Sequence, residues 1–306
     1  MNGMRLSLGP VLFYWSRDDL MAFYEEVAGW PVDIVYLGET VCSKRRSLNF
    51  DDWMAVADRL AAAGKEVVFS TLALLEAESE LKTLRRICAN GRYRVEANDL
   101  GAVHLLSGNG PFATGPTVNI YNPATLRLLA DKGLKRWTLP LELSKETLAQ
   151  MQAQRPDGME TEVFAYGRMP LTLSARCFTA RSHNLPKDDC QYRCLDDPDG
   201  RLMRTQEGQP FLVINGIQTM SARSCNLIGE VDEMRRLRVD VLRISPQSHR
   251  TGEVVKLYAA VLNEGMEAAE ARAAIQRLIP LGGCDGYWHG KPGMDLVAAS
   301  ESARNL

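Results

Sequence analysis

Residues 51–70, DDWMAVADRLAAAGKEVVFS, contain one complete helix–strand unit and decide the fold class. Four apolar residues recur at positions i, i+3, i+4 and i+7 and share one face of an amphipathic helix: Trp53, Val56, Ala57 and Leu60. Gly64 stands where a C-cap glycine is expected, and a β-branched strand follows at once over residues 66–70. The pattern predicts a helix packed on the strand that it precedes.

The alternation of strand and helix continues along most of the 306 residues. A second helix, at residues 123–132, repeats the design with Asn122 as N-cap and Pro123 in its first turn. Period-2 or continuous apolar runs predict eight strands, at residues 5–8, 33–37, 66–70, 93–97, 117–121, 136–141, 162–166 and 240–244. An α/β fold of the (β/α)8 TIM-barrel type is predicted. A doubly wound open sheet is the alternative, although no Gly-x-Gly-x-x-Gly turn follows the first strand.

The alternation breaks down between residues 167 and 239, a stretch with four of the seven cysteines. Within it, residues 202–220 resemble a hairpin with Glu207-Gly208 at the tip. We therefore expect a single barrel domain over residues 1–306, with an insertion at 167–239 after the seventh strand. An insertion there lies at the barrel mouth, where active sites are built.

Composition excludes several classes of protein. The chain has 36 Lys and Arg against 38 Asp and Glu, a net charge of −2, which argues against nucleic acid as the main partner. No apolar stretch approaches the roughly 20 residues of a membrane-spanning helix. The apolar residues 4–15 run into charged residues without a small-residue cleavage site, so we expect a cytoplasmic protein with reduced thiols.

Three cysteines of the irregular segment have the spacing C-x12-C-x3-C: Cys177, Cys190 and Cys194. Neighbouring arginines would favour their thiolate forms, and a flexible segment can wrap one metal centre. The long first gap does not select zinc. Cys42, in the loop after the second strand, is the favoured fourth ligand, and His183, Cys225 and Cys284 are rivals. Cys88 belongs to a helix face that is expected to be core.

Polar residues that follow predicted strands are candidates for catalysis, because a barrel presents its catalytic groups there. They are Glu39, Asn98, Asp99, Asn119, Tyr121, Asn122 and Glu142. Helix capping is the alternative for the Asn and Asp residues. Arg45 and Arg46 are expected in a solvated loop, and contact with an anionic substrate or with a charged metal cluster is the alternative.

Several motifs resemble the peptidase U32 family. Residues 162–171, EVFAYGRMPL, continue to Cys177 and resemble the signature region of that family, as does Cys190-x3-Cys194. Residues 36–39 (YLGE), 42–45 (CSKR) and 286–290 (GYWHG) add to a resemblance that spans nearly the whole chain. Other members carry His-Gly-Ala-(Leu/Met)-Cys where this chain has residues 166–170, YGRMP. A late thiol is therefore missing, and Cys42 can replace it.

The resemblance implies a [4Fe–4S] cluster with Cys42, Cys177, Cys190 and Cys194 as ligands. It also implies O2-independent hydroxylation of the aromatic ring of a ubiquinone precursor, in a heterodimer with a UbiU-like homologue and with prephenate as oxygen donor. A U32-type peptidase is one alternative, although neither a Ser-His-Asp pattern nor His-Glu-x-x-His occurs. A non-catalytic partner subunit stabilised by its metal is the other.

Overall fold

A computed structural model describes residues 3–297, in which a closed barrel of eight parallel strands is surrounded by helices. The first half alternates strictly: β1 (Arg5–Leu8), α1 (Arg17–Val27), β2 (Ile34–Leu37), α2 (Phe50–Ala62), β3 (Glu66–Ser70), α3 (Glu78–Cys88), β4 (Arg94–Ala97), α4 (Leu100–Leu106), β5 (Phe112–Thr114), α5 (Pro123–Ala130), β6 (Leu134–Thr138) and α6 (Lys145–Gln152).

The second half is less regular. It comprises β7 (Glu160–Leu173), α7 (Phe178–Ser182), β8 (Arg201–Arg204), β9 (Pro210–Asn215), β10 (Gln218–Asn226), α8 (Val231–Arg236), β11 (Val241–Ile244), α9 (Thr251–Ala259), α10 (Ala268–Leu278) and β12 (Gly283–Cys284). Strands β1 to β7 lie side by side in chain order, and β11 pairs with both β7 and β1. This closure confirms the predicted (β/α)8 barrel and excludes the open sheet.

The predicted fifth strand at residues 117–121 is wrong. The barrel strand is β5, which ends at Thr114, and residues 117–121 form a loop that buries Val118 and Ile120. Val118 and Ile120 alternate with polar residues as in a strand, but the Ile120 N–H donates to the Val118 carbonyl at 2.7 Å, a local turn. The true strand has only three residues, too few for a period-2 pattern to be evident.

Between β7 and β11 the chain forms an antiparallel extension of the barrel. β7 has 14 residues and extends beyond the barrel. There β10 pairs with β7, β9 pairs with β10, and β8 pairs with β9, all antiparallel. β8 and β9 form the predicted hairpin, with residues 205–209 at its tip. The extension brings the irregular, cysteine-bearing residues 174–200 alongside the loop that follows β2. None of the helices within residues 3–297 is long and apolar enough to cross a membrane.

The barrel interior is charged at its centre. Arg243 donates to Glu162 at 3.0 Å and to Glu96 at 2.6 Å, and Tyr36 donates to the same Glu162 carboxylate. All four residues are buried. A buried ion pair tolerates the loss of hydration only when each charge has hydrogen-bonded partners, as these do.

Candidate functional site: a four-cysteine cavity beside the barrel mouth

Four cysteines line one cavity: Cys42, Cys177, Cys190 and Cys194. They come from two separate parts of the chain, the loop after β2 and the segment between β7 and β8. All are free thiols; the Cys194 side chain is buried and the other three are half-buried. The topology thus brings together the four cysteines that were expected to act as ligands.

The rival ligands lie elsewhere. Cys225 and Cys284 are buried opposite each other on β10 and β12, and Cys225 lines a different cavity. Cys88 ends α3 and packs against the core. The His183 ring contacts Arg201 at 3.3 Å and is absent from the described lining of the four-cysteine cavity.

Local backbone geometry positions three of the thiols. Cys177 is the N-cap of α7, where its Sγ accepts the Ala180 N–H at 3.4 Å. Between Cys190 and Cys194, Gln191 and Tyr192 have φ values of 49° and 53°, two consecutive left-handed residues. Left-handed backbone costs a non-glycine residue free energy and tends to occur at functional sites.

Burial controls the protonation of these thiols. Burial is the main reason that the pKa of Cys194 is raised to about 11; the charge of Arg45 opposes the rise, and the neighbouring thiols add smaller contributions to it. Burial also raises the pKa of Cys42, although the hydrogen bond from the Lys44 backbone N–H and the charge of Arg45 lower it. Metal binding at these residues would therefore release protons.

Arg45 connects the two ligand-bearing segments, and its expected place in a solvated loop is wrong. It is only 5% exposed, and two residues bind its guanidinium through three hydrogen bonds. Nη1 donates to the Leu12 carbonyl at 3.0 Å, and Nη2 donates to both the backbone and side-chain oxygens of Asn215. Arg45 Nε has no hydrogen-bond partner among residues 3–297, although Arg45 lines the cysteine cavity. Arg46 is exposed, as expected.

Glu39 shapes the loop that carries Cys42. Its Oε1 accepts the N–H groups of Val41 at 2.8 Å and Cys42 at 3.1 Å, and Arg45 Nη1 lies 3.7 Å away. Burial raises the pKa of Glu39, and the charge of Arg45 and the loop N–H groups oppose that rise. This catalytic candidate therefore supports a cysteine loop and is absent from the described lining of the barrel-mouth cavity.

A second cavity, the barrel-mouth cavity, is lined by residues that follow several of the barrel strands. Asn98, Glu96 and Arg243 contribute polar groups to it, and Thr40 and Val41 place it directly next to the Cys42 loop. Its apolar walls include Leu12, Val41, Pro116, Phe164, Pro170 and Leu173. A mostly apolar pocket with a few fixed polar groups is typical of a small-molecule site.

The remaining catalytic candidates lie apart from both cavities. Asp99 and Asn122 are the N-caps of α4 and α5, in agreement with the capping alternative. Tyr121 donates to Glu142 on the surface, where burial and that carboxylate raise the pKa of Tyr121 to about 12. Asn119 is exposed. Of the predicted set, Asn98 alone contributes to the described lining of the barrel-mouth cavity.

Sequence reasoning missed Arg243, Glu96 and Thr40. A signal existed for two of them, since Arg243 interrupts the strand VLRI and Glu96 the strand RVEA. A charged side chain in a short barrel strand points either towards the surrounding helices or into the barrel, and the apolar residues on either side of it favour the barrel. Thr40 carries no comparable signal.

Comparison with known proteins establishes the family. The model of peptidase family U32 matches residues 19–297, and the chain belongs to that family. A curated relative, tRNA hydroxylation protein P of Escherichia coli (strain K12), is 26% identical over 177 residues. That match covers 55% of this chain and 38% of the relative, so this chain spans well under half of that protein's length.

Solved structures with a similar course of the chain have low sequence identity. The U32 peptidase Mk0906 has a TM-score of 0.45 at 10% identity, covering 81% of this chain and 94% of its own. A putative dihydrodipicolinate synthetase from Pseudomonas aeruginosa has a TM-score of 0.47 at 9% identity, and the match covers 92% of this chain and 83% of that protein. N-acetylneuraminate lyase from Fusobacterium nucleatum has a TM-score of 0.47 at 10% identity, and the match covers 91% of this chain and 80% of that protein.

Proposed function

We propose that this U32 protein is an iron–sulfur subunit of an O2-independent ring hydroxylase, similar to the ubiquinone biosynthesis protein UbiV. One observation carries the proposal: four cysteines from two segments line one cavity, directly beside a mostly apolar barrel-mouth cavity. The relative from Escherichia coli is named for tRNA hydroxylation, which supports hydroxylation as the reaction class. The net charge of −2 and the apolar walls favour a ring substrate over tRNA.

The donor set fits a [4Fe–4S] cluster, which takes four thiolates. Within residues 3–297, no three His, Cys, Asp or Glu side chains are grouped to hold a metal ion. Four sulfurs about 2.3 Å from one zinc would lie within about 4 Å of one another, whereas a cluster spreads its thiolates over four irons. The four cysteines around one cavity supply the four thiolates that such a cluster takes.

Cys42, Cys177, Cys190 and Cys194 would hold the cluster, which supplies electron transfer when bound. Arg45 contributes a fixed positive charge next to the four thiolates and keeps both ligand segments in place. The walls of the barrel-mouth cavity exclude water from the ring of the quinone precursor. A UbiU-like homologue is the proposed partner, and prephenate is the proposed oxygen donor.

The test is anaerobic co-purification of this chain with a UbiU-like homologue, with iron and acid-labile sulfide quantified and ring hydroxylation assayed. We expect a one-to-one complex with about four irons per chain, the complement of a [4Fe–4S] cluster. Stoichiometric zinc with little iron would contradict the cluster. Full hydroxylation by the UbiU-like homologue without this chain would contradict the subunit role.

A further inference from the structure

A third cavity, the α2–α3 pocket, lies outside the barrel between helices α2 and α3. Its volume is about 580 Å³, within the range of small-molecule sites. α2 packs on α1, and α3 packs on α4, more extensively than α2 and α3 pack on each other. The gap leaves Phe69 of β3 and the following Leu72 to line the pocket from the barrel side.

Two contacts hold the walls of this pocket in place. The Arg86 guanidinium of α3 lies 4.2 Å from the centroid of the Phe50 ring of α2, and it donates to Asp51 at 2.7 Å. Ser43, in the loop after β2, donates to Glu80 of α3. The loop and the two helices are therefore bridged to one another, so the pocket exists before a ligand binds and little ordering is needed on binding.

The charges of the lining leave two cations free. Six charged residues line the pocket: Arg45, Arg46, Lys82, Arg86, Glu39 and Glu80. Arg45 lies 3.7 Å from Glu39, Arg86 pairs with Asp51, and Glu80 accepts hydrogen bonds from Ser43 and from two backbone N–H groups before α3. Arg46 and Lys82 are exposed, and neither has a hydrogen-bond or ion-pair partner within residues 3–297. The solvent side of the pocket therefore attracts an anion.

The rest of the lining is mostly apolar. It includes Leu48, Phe50, Trp53, Phe69, Leu72 and Ile87. Phe50, Trp53 and Ile87 are only half-buried, so each still presents surface that a ligand can cover. Covering apolar surface is favourable in proportion to its area, which selects a ligand with an apolar body.

We propose that the α2–α3 pocket binds an amphipathic carboxylate, with its apolar chain against Phe50 and Trp53 and its carboxylate at Arg46 and Lys82. The loop after β2 separates this pocket from the four-cysteine cavity: residues 43, 45 and 46 line the pocket, and residues 42, 44 and 45 line the cavity. A bound carboxylate thus holds the loop of Cys42 from the side opposite the thiols. The inference goes beyond the proposed function and does not depend on a cluster.

The test is an NMR titration of the anaerobically purified full chain with three molecules that share one apolar chain: octanoate, 1-octanol and octylammonium. Octanoate should bind at least about fivefold more tightly than 1-octanol, since one or two exposed ion pairs are worth about that factor in affinity. Octylammonium should bind most weakly, because its charge is repelled by Arg46 and Lys82. Equal affinity for the three molecules would overturn the inference.

Thr83→Trp tests the location of binding. Thr83 is an exposed residue of α3 that lines the pocket, so a tryptophan there fills it and should abolish binding of octanoate and 1-octanol. The matched control, Arg85→Trp, changes an exposed residue of the same helix that is absent from the described lining, and should preserve both. Circular dichroism verifies the fold of each variant. Binding that survives Thr83→Trp would overturn the inference.

The double variant Arg46→Gln, Lys82→Gln tests the anion site. It removes both free cations and leaves the apolar walls intact, so octanoate should bind about fivefold more weakly and 1-octanol should be unaffected. Arg85→Gln, which removes a cation of α3 outside the pocket, should change neither affinity. Unchanged octanoate binding in the double variant would also overturn the inference. Because binding is measured without turnover, the result is independent of the proposed function.

Discussion

Arg45 Nη2 donates to Asn215 Oδ1 at 2.6 Å, across 170 residues of chain. Asn215 in turn donates through Nδ2 to the carbonyls of Cys194 and Asp197, both at 3.0 Å. The pair therefore links the loop of Cys42 to the segment of Cys190 and Cys194. Because both side chains are buried, the link is shielded from competing water.

Asn215→Ala should destabilise the protein and loosen the cysteine cavity. The change removes the side-chain acceptor of a buried guanidinium and the donor to two carbonyls, for an expected loss of about 2–3 kcal/mol in unfolding free energy. Denaturant titration measures the loss, and iron content after anaerobic purification should fall with it. The control Arg46→Ala changes an exposed arginine, and its unfolding free energy should stay within about 0.5 kcal/mol of that of the native chain. Unchanged stability of Asn215→Ala would disprove the linking role.

Gly216→Ala should be more damaging than Gly208→Ala, although both glycines have left-handed backbone. Their φ values are 68° and 81°, so an alanine costs about 1–2 kcal/mol at either position. A Cβ at Gly216 would lie 2.8 Å from Arg45 Nη2, whereas nothing lies within 4 Å at Gly208. Thermal or denaturant unfolding should show about 1–3 kcal/mol of additional loss at Gly216. Equal losses of unfolding free energy in the two variants would show that the Arg45 side chain moves away from the added methyl group at no cost.

The barrel could be predicted from the sequence because the periodicities of strands and helices are local. Residues 51–70 predicted α2 and β3 from four apolar positions and one glycine, and both elements form. The position of Arg45 was not accessible in this way, because its partners lie 33 and 170 residues away. Cys42 could be grouped with the later thiols from the sequence because a predicted barrel places both loops at the same end.

Glu162 should make the stability of the fold depend on pH. Burial alone would raise its pKa, but Arg243 and Arg136 and the hydrogen bond from Ser7 hold that pKa below the ordinary value. A carboxylate with a lowered pKa stabilises the fold above its unfolded pKa of about 4.3, and this stabilisation is lost as the pH falls below that value. The unfolding free energy of the native chain should therefore be flat from pH 7 to 5 and decline below about pH 4.

Glu162→Gln tests this assignment. At pH 7 the variant should be less stable by about 3 kcal/mol, since Arg243 loses one buried partner, and the gap should narrow as the pH falls below about 4. Chemical denaturation across the pH range gives both curves. Glu25→Gln, at an exposed glutamate paired with Arg59, should follow the native curve. A gap that stays constant from pH 7 to 3 would show that Glu162 does not titrate in this range.

Single alanine variants of Cys42, Cys177, Cys190 and Cys194 should each lose the iron–sulfur absorbance and most of the bound iron. A [4Fe–4S] cluster takes one thiolate per iron, so an alanine leaves one iron without a protein ligand. Cys88→Ala is the matched control, because Cys88 ends α3 against the core, away from the four-cysteine cavity. Iron, sulfide and visible spectra of anaerobically purified variants provide the measurement, and circular dichroism verifies the fold. A Cys42→Ala variant that keeps its full iron would remove Cys42 from the ligand set and leave the cluster to be completed by another residue.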